Sequence, residues 1–283
     1  MNTNKVRALL RLFRFELPFA AGICVLLGEL LALGTWPTAR EAVLGFSSVF
    51  LLSAAALILN DYFDVAADRV NAPDRPLPSG QVTEREVLLL FAAVTILGLG
   101  LSYLIGLQAL GFAALVWAVG VLYNWRLKRT GLLGNLMVSL SVGLTFVFGA
   151  LTVGRPLEEL VWFFTLTAML IDLGEEIGVD ALDAEGDREI GSQSLALKLG
   201  RESALRISSA LFLTVVLWSG VPFLLGWLSW PYLLPLGLMD GVILYSLAQV
   251  IVFESASPRK YLRWIYLSGL AAMLIFLVMR LLD

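Results

Sequence analysis

The chain has 283 residues, 59% of them apolar and 15% charged; an average soluble domain has roughly 45–50% and about 25%. That balance excludes a disordered chain and argues against an ordinary soluble enzyme. It indicates an all-α polytopic membrane protein, a helical bundle forming a single domain over 1–283. With no histidine and one cysteine, Cys24, a His-held haem or zinc, a His general base, an intrachain disulfide and a cysteine metal cluster are also excluded. A net charge of −3 carries no basic excess for nucleic acid.

A bilayer-crossing helix needs about 20 mostly apolar residues. Read in chain order, nine segments qualify, roughly 17–34, 43–59, 87–105, 107–123, 134–153, 160–175, 207–226, 231–252 and 264–281. The first follows basic residues, as a signal peptide would, but its apolar run is too long and Glu29 lies inside it, so it reads as a retained helix. Gly22, Gly28, Gly143 and Gly149 suit close helix packing. Glu29 and Asp240 are intramembrane carboxylates, each a candidate for function or for a bond to a neighbouring helix. Asp240, with Tyr245 and Gln249, would line a pocket for a hydrophobic substrate. Nine spans put the termini on opposite sides. All of the 20 basic residues except Arg40, Arg155 and Arg280 then share the side of the N-terminus, which the positive-inside rule makes cytoplasmic. Arg259, Lys260 and Arg263 mark that interface, and the expected location is the cell membrane.

The second span runs into Asn60, Asp61, Asp64 and Asp68. If its helix continues, Asn60, Asp64 and Asp68 share one face at i, i+4 and i+8, with Asp61 beside them. Like charges so spaced repel, and a cation would offset the repulsion. The sixth span runs into Asp172, Glu175, Glu176, Asp180, Asp183, Glu185 and Asp187. Of these, Asp172, Glu176, Asp180, Asp183 and Asp187 form a stripe down one face. Both clusters descend to the cytoplasmic side by this topology, so they are expected to meet across a central cavity. Short membrane loops often carry carboxylates that are merely solvated. Two such clusters at helix ends on one side favour function instead. Hard oxygen donors suit Mg²⁺, which binds one or two carboxylates together with substrate phosphates. Arg69, Arg75, Arg126, Lys128, Arg129, Arg188 and Lys198 are phosphate partners of the right chemistry.

At these residues the sequence resembles the UbiA superfamily of intramembrane prenyltransferases, which also has nine helices. The resemblance rests on Asn60-Asp61-x-x-Asp64-x-x-x-Asp68, on Arg75-Pro76-Leu77-Pro78-Ser79-Gly80, and on Asp180-x-x-Asp183-x-Glu185-Gly186-Asp187-Arg188 with Ser194-Leu195 after it. A weaker match is Tyr123-Asn124-Trp125-Arg126-Leu127-Lys128, followed by Gly134-Asn135. The resemblance implies Mg²⁺ held by Asn60, Asp64, Asp68, Asp183 and Asp187. It implies catalytic roles for Asp61, Asp64, Asp68, Asp180 and Asp187, and substrate contacts from Arg14, Arg75, Tyr123, Lys128, Arg188 and Lys198. The implied reaction ionises an allylic prenyl diphosphate, releases pyrophosphate and alkylates a hydrophobic acceptor, with the bilayer as the surroundings and no obligate protein partner.

Within the superfamily the combined motifs are most similar to the branch that transfers geranylgeranyl to geranylgeranylglyceryl phosphate. The near neighbours prenylate aromatic quinone precursors or chlorophyllide-type acceptors. Three departures stand out: Arg14-Phe15-Glu16-Leu17 lacks the family's Asn, Val179 replaces its Lys, and Glu175 replaces an Arg of related lipid enzymes. A cation-coupled transporter is the alternative from another class. It would hold its ion near the midplane at broken helices in repeated halves, whereas here the carboxylates are densest at helix ends. A lipid phosphotransferase would need an Asp-Gly-x-x-Ala-Arg start, which is absent.

Overall fold

The computed structural model describes residues 3–184, 193–252 and 257–282. Among them the regular elements are all helical. In chain order they are α1 (Thr3–Arg11), α2 (Glu16–Leu33), α3 (Ala39–Phe63), α4 (Val65–Asn71), α5 (Glu84–Ile105), α6 (Leu107–Leu122), α7 (Leu132–Thr152), α8 (Glu159–Leu182), α9 (Leu195–Leu199), α10 (Arg201–Ser219), α11 (Leu233–Leu247) and α12 (Pro258–Leu282). Two π-helical turns, Tyr123–Leu127 and Ala248–Val252, follow α6 and α11, and single turns lie at Val221–Leu224 and Trp230–Tyr232.

Eight helical stretches among the described residues are long and apolar enough to cross a bilayer. The expected count of nine is corrected at the sixth segment. Helix α8 continues past residue 175 to Leu182, along the acidic stripe as its spacing predicts. It carries Asp172, Glu175, Glu176 and Asp180 within its length, so no full bilayer thickness of it is free of charge. Elsewhere the helices expose leucine and isoleucine freely. Ile96 is 70% and Leu115 65% exposed, as expected where lipid takes the place of water.

The chain divides into two compact units: Met1–Leu33, Pro37–Trp125 and Thr145–Pro156 form one, and Gly34–Trp36, Arg126–Leu144 and Leu157–Asp283 the other. In the first, α3 packs against α5 and α2. Thr38 and Thr83 start α3 and α5 with matching capping boxes. Each side-chain oxygen accepts from the backbone three residues on, at 3.3 and 3.4 Å. Glu41 and Glu86 in turn accept from the Thr38 and Thr83 backbone N–H groups, at 2.8 Å each. Such caps contribute about 1 kcal/mol each. Lys5 reaches Glu86 at 2.7 Å and ties α1 to the start of α5.

Helix α2 and the last turns of α7 touch backbone to backbone. A Cβ on Gly28 would lie 2.1 Å from the Phe146 carbonyl oxygen, and one on Gly149 2.1 Å from that of Val25. Gly28→Val therefore forces the two helices apart. We expect it to destabilise the protein by about 1–3 kcal/mol, as overpacking does, read as a lower melting temperature in detergent; an unchanged melting temperature would refute this contact. Glu29, one residue on, is fully buried.

In the second unit α8 packs against α10 and α12, and α11 against α10 and α12. Its centre is aromatic. Phe163, Phe164, Phe212 and Phe276 are fully buried, with edge-to-face pairs Phe163–Phe164 at 5.0 Å and Phe164–Phe276 at 4.9 Å. Asp240 accepts a 2.6 Å hydrogen bond from Ser219, an interhelical bond of the kind expected for an intramembrane carboxylate. A Cβ on Gly143 would meet the Met169 side chain at 2.4 Å, which brings α7 close to α8.

Candidate active site

In the first unit, α3 carries its polar tail past the apolar run and ends at Phe63. Asp64 breaks the helix, with φ −88° and ψ 0°, and α4 begins at Val65. The uninterrupted helix assumed for the i, i+4, i+8 face is corrected to this extent. Backbone bonds still bridge the break, Asp64 N to Asn60 O at 2.9 Å and Asp68 N to Asp64 O at 2.8 Å. Asp61 and Asp68 are nearly inaccessible, at 2% and 6% exposure.

Two carboxylates so buried need positive partners, and the fold supplies them from two directions. Arg14, in the turn between α1 and α2, forms an ion pair with Asp61. It is the one non-glycine residue with positive φ among the described residues, at 44°. That conformation costs roughly 1–3 kcal/mol, which the ion pair helps to offset. Arg75 donates to both oxygens of Asp68, at 2.6 and 2.5 Å, and lies 3.8 Å from Asp61. Burial alone would lower the guanidinium pKa, but the bonds to Asp68 and the charges of Asp61 and Asp64 outweigh it and hold Arg75 above its usual value.

The Pro-rich loop positions Arg75. Leu77 and Val82 are buried with Leu12, Ala54, Ala55 and Ile58, Ser79 Oγ donates to the Arg75 carbonyl at 2.7 Å, and Gly80 closes the turn at φ 74°, where other residues are strained. Asn60 Nδ2 donates to Asn124 Oδ1 at 3.0 Å. Asn124 lies in the π-helical turn next to Tyr123, and its own Nδ2 donates to the carbonyls of Ala56 at 3.2 Å and Gly120 at 3.1 Å.

In the second unit the acidic stripe of α8 meets the first turns of α7. Ser139 Oγ donates to Asp172 at 2.8 Å, and Asn135 Nδ2 to Asp180 at 2.9 Å. Asp183 caps the end of α8 and forms an ion pair with Arg259 of α12. Lys128 and Lys198 are exposed, and their segments touch: Gln193 N donates to Arg129 O at 3.1 Å. Asp187 and Arg188 lie outside the described residues. The structure thus joins Asp61, Asp68, Arg14 and Arg75 in one cluster. It also adds Asn124, Asn135, Ser139 and Arg259, which the motifs did not single out as site residues. Asn135 and Ser139 had a legible signal, two polar residues at i and i+4 in an apolar span.

Among the described residues no three acidic groups converge closely enough to hold a metal unaided. The donors are carboxylate and amide oxygens, with no imidazole anywhere in the chain. That set fits Mg²⁺, whose coordination is completed by substrate phosphate oxygens and water rather than by a protein cage.

Apolar spanning helices that end in arginine-braced carboxylate clusters describe an integral membrane protein. Residues 21–270 match the model of the UbiA prenyltransferase family, and the chain belongs to that family; it is a prenyltransferase.

Similar proteins include the digeranylgeranylglyceryl phosphate synthase of Methanopyrus kandleri, 36% identical over 96% of this chain and 98% of the relative. That of Pyrococcus abyssi is 35% identical over 90% and 91%. A solved structure described as giving insight into digeranylgeranylglyceryl phosphate synthase in membranes aligns with TM-score 0.86 and 28% identity, over 99% of each chain. A UbiA homolog from Archaeoglobus fulgidus bound to GPP and Mg²⁺ shares the fold, with TM-score 0.74 and 21% identity over 98% of this chain and 100% of that one.

Proposed function

We propose that this protein transfers a geranylgeranyl group from its diphosphate to the free hydroxyl of a lipid phosphate such as geranylgeranylglyceryl phosphate, in a Mg²⁺-dependent reaction at the cytoplasmic face of the cell membrane. The observation that carries the reading is the near end-to-end similarity to relatives named digeranylgeranylglyceryl phosphate synthase. Asn60, Asp64, Asp68, Asp183 and Asp187 are the residues to hold the metal. Mg²⁺, when bound, neutralises the diphosphate and makes it a leaving group.

The chain's own residues do the rest. Arg14, Arg75, Tyr123, Lys128, Arg188 and Lys198 bind phosphate oxygens, and the apolar helices exclude water from the reacting carbon. The allylic C1–O bond breaks, the acceptor oxygen bonds to C1, and the acceptor's hydroxyl proton passes to a carboxylate of the Asp61 or Asp180 group. Purified protein in lipid nanodiscs, given geranylgeranyl diphosphate with lipid-phosphate, aromatic and chlorophyllide acceptors, should yield an ether-linked lipid phosphate by mass spectrometry. Product from an aromatic or chlorophyllide acceptor alone would overturn the acceptor assignment.

A further inference from the structure

We propose that Asn124 is a positioning residue that fixes which end of the Asn60 amide can meet a metal ion. The inference rests on the Mg²⁺ reading of Asn60 given above. A side-chain amide has an oxygen at one end and an NH₂ at the other, and only the oxygen ligates a cation. An exposed asparagine can turn either way, so half of its orientations present the wrong atom. Asn60 is not left that choice. Its Nδ2 donates to Asn124 Oδ1 at 3.0 Å.

Asn124 is itself unable to turn. Its Nδ2 is held by two carbonyls, those of Ala56 on α3 and Gly120 on α6. Reversing the amide would set its oxygen against both carbonyl oxygens in a site where Asn124 is only 8% exposed. The order of constraint is therefore carbonyls to Asn124, and Asn124 to Asn60. With Nδ2 held by Asn124, Oδ1 is the other end of the Asn60 amide. The π-helical turn over Tyr123–Leu127 is the backbone feature that carries Asn124, and such turns recur at functional sites. Residues that orient a metal ligand in this way typically change metal affinity by about 10–100-fold when lost.

The test is a cycle read by metal binding rather than by turnover. Mn²⁺ is titrated into the full-length protein in detergent with inorganic pyrophosphate present, and binding is followed by electron paramagnetic resonance. Asn124→Leu removes the acceptor and should weaken Mn²⁺ binding by about tenfold or more. Asn60→Asp replaces the two-ended amide with two equivalent oxygens that need no orienting. Adding Asn124→Leu to Asn60→Asp should therefore cost no further affinity. Equal losses in both backgrounds would mean that Asn124 acts on the fold alone, and no loss in the wild-type background would also overturn the proposal. If the wild type binds no Mn²⁺, or binds it equally well as Asp64→Ala, the Mg²⁺ reading fails instead. Melting temperatures of each variant, measured without metal, identify any that fail to fold.

Discussion

Asp64→Ala and Asp183→Ala should each abolish Mg²⁺-dependent pyrophosphate release while leaving the helical fold in place. The expectation follows from where the two residues stand. Asp64 is the residue at which α3 gives way to α4, and Asp183 is the end of α8, so neither truncation opens an apolar core. Both are partly accessible, and losing one such carboxylate removes charge rather than packing. A leaving diphosphate depends on neutralisation worth several kcal/mol. Each 1.36 kcal/mol is tenfold in rate, so a fall of about a hundredfold or more is expected. Pyrophosphate release and circular dichroism on the same preparation check it. Near-wild-type release by either folded variant would remove that residue from the metal set.

Arg75→Leu should cause a large loss of stability, part of which Mg²⁺ should restore. In the wild type Arg75 holds both oxygens of Asp68 and approaches Asp61, and those two carboxylates are buried. Removing one partner of a buried pair costs about 3–5 kcal/mol, because the remaining charge is left uncompensated. Arg75 is itself 34% exposed, so the cost is expected at the lower end of that range. A divalent cation supplies the missing charge, and binding to the folded state alone raises stability by mass action. Thermal unfolding with and without Mg²⁺ should thus show a larger metal-dependent rise for Arg75→Leu than for the wild type. Equal rises would mean that the cation does not reach this cluster.

The amino-acid sequence by itself determined the class of the protein. Long apolar segments without a water-facing polar side can only bury themselves in lipid, and the placement of basic residues predicts their direction. It also pointed to where the chemistry is expected, since carboxylates gathered at helix ends beside Asn60 and Arg75 are costly without a counter-charge. Period and composition are local properties, and helices obey them. The stripe read down one face of the sixth helix is one such property: α8 continues through Asp172, Glu176 and Asp180 to Leu182, where Asp183 caps it.

Only the tertiary structure decided the partners. Arg14 with Asp61 spans 47 residues, Asn60 with Asn124 spans 64, and Asp183 with Arg259 spans 76. No periodicity links positions so far apart. Asp61, read from the sequence as a neighbour of the metal face, is also buried and paired with Arg14. Arg259, read as an interface marker, is also the counter-ion of Asp183. Hydrogen bonds and ion pairs reach only a few ångströms, so they are written in three-dimensional proximity, which helix packing creates and a linear pattern does not contain.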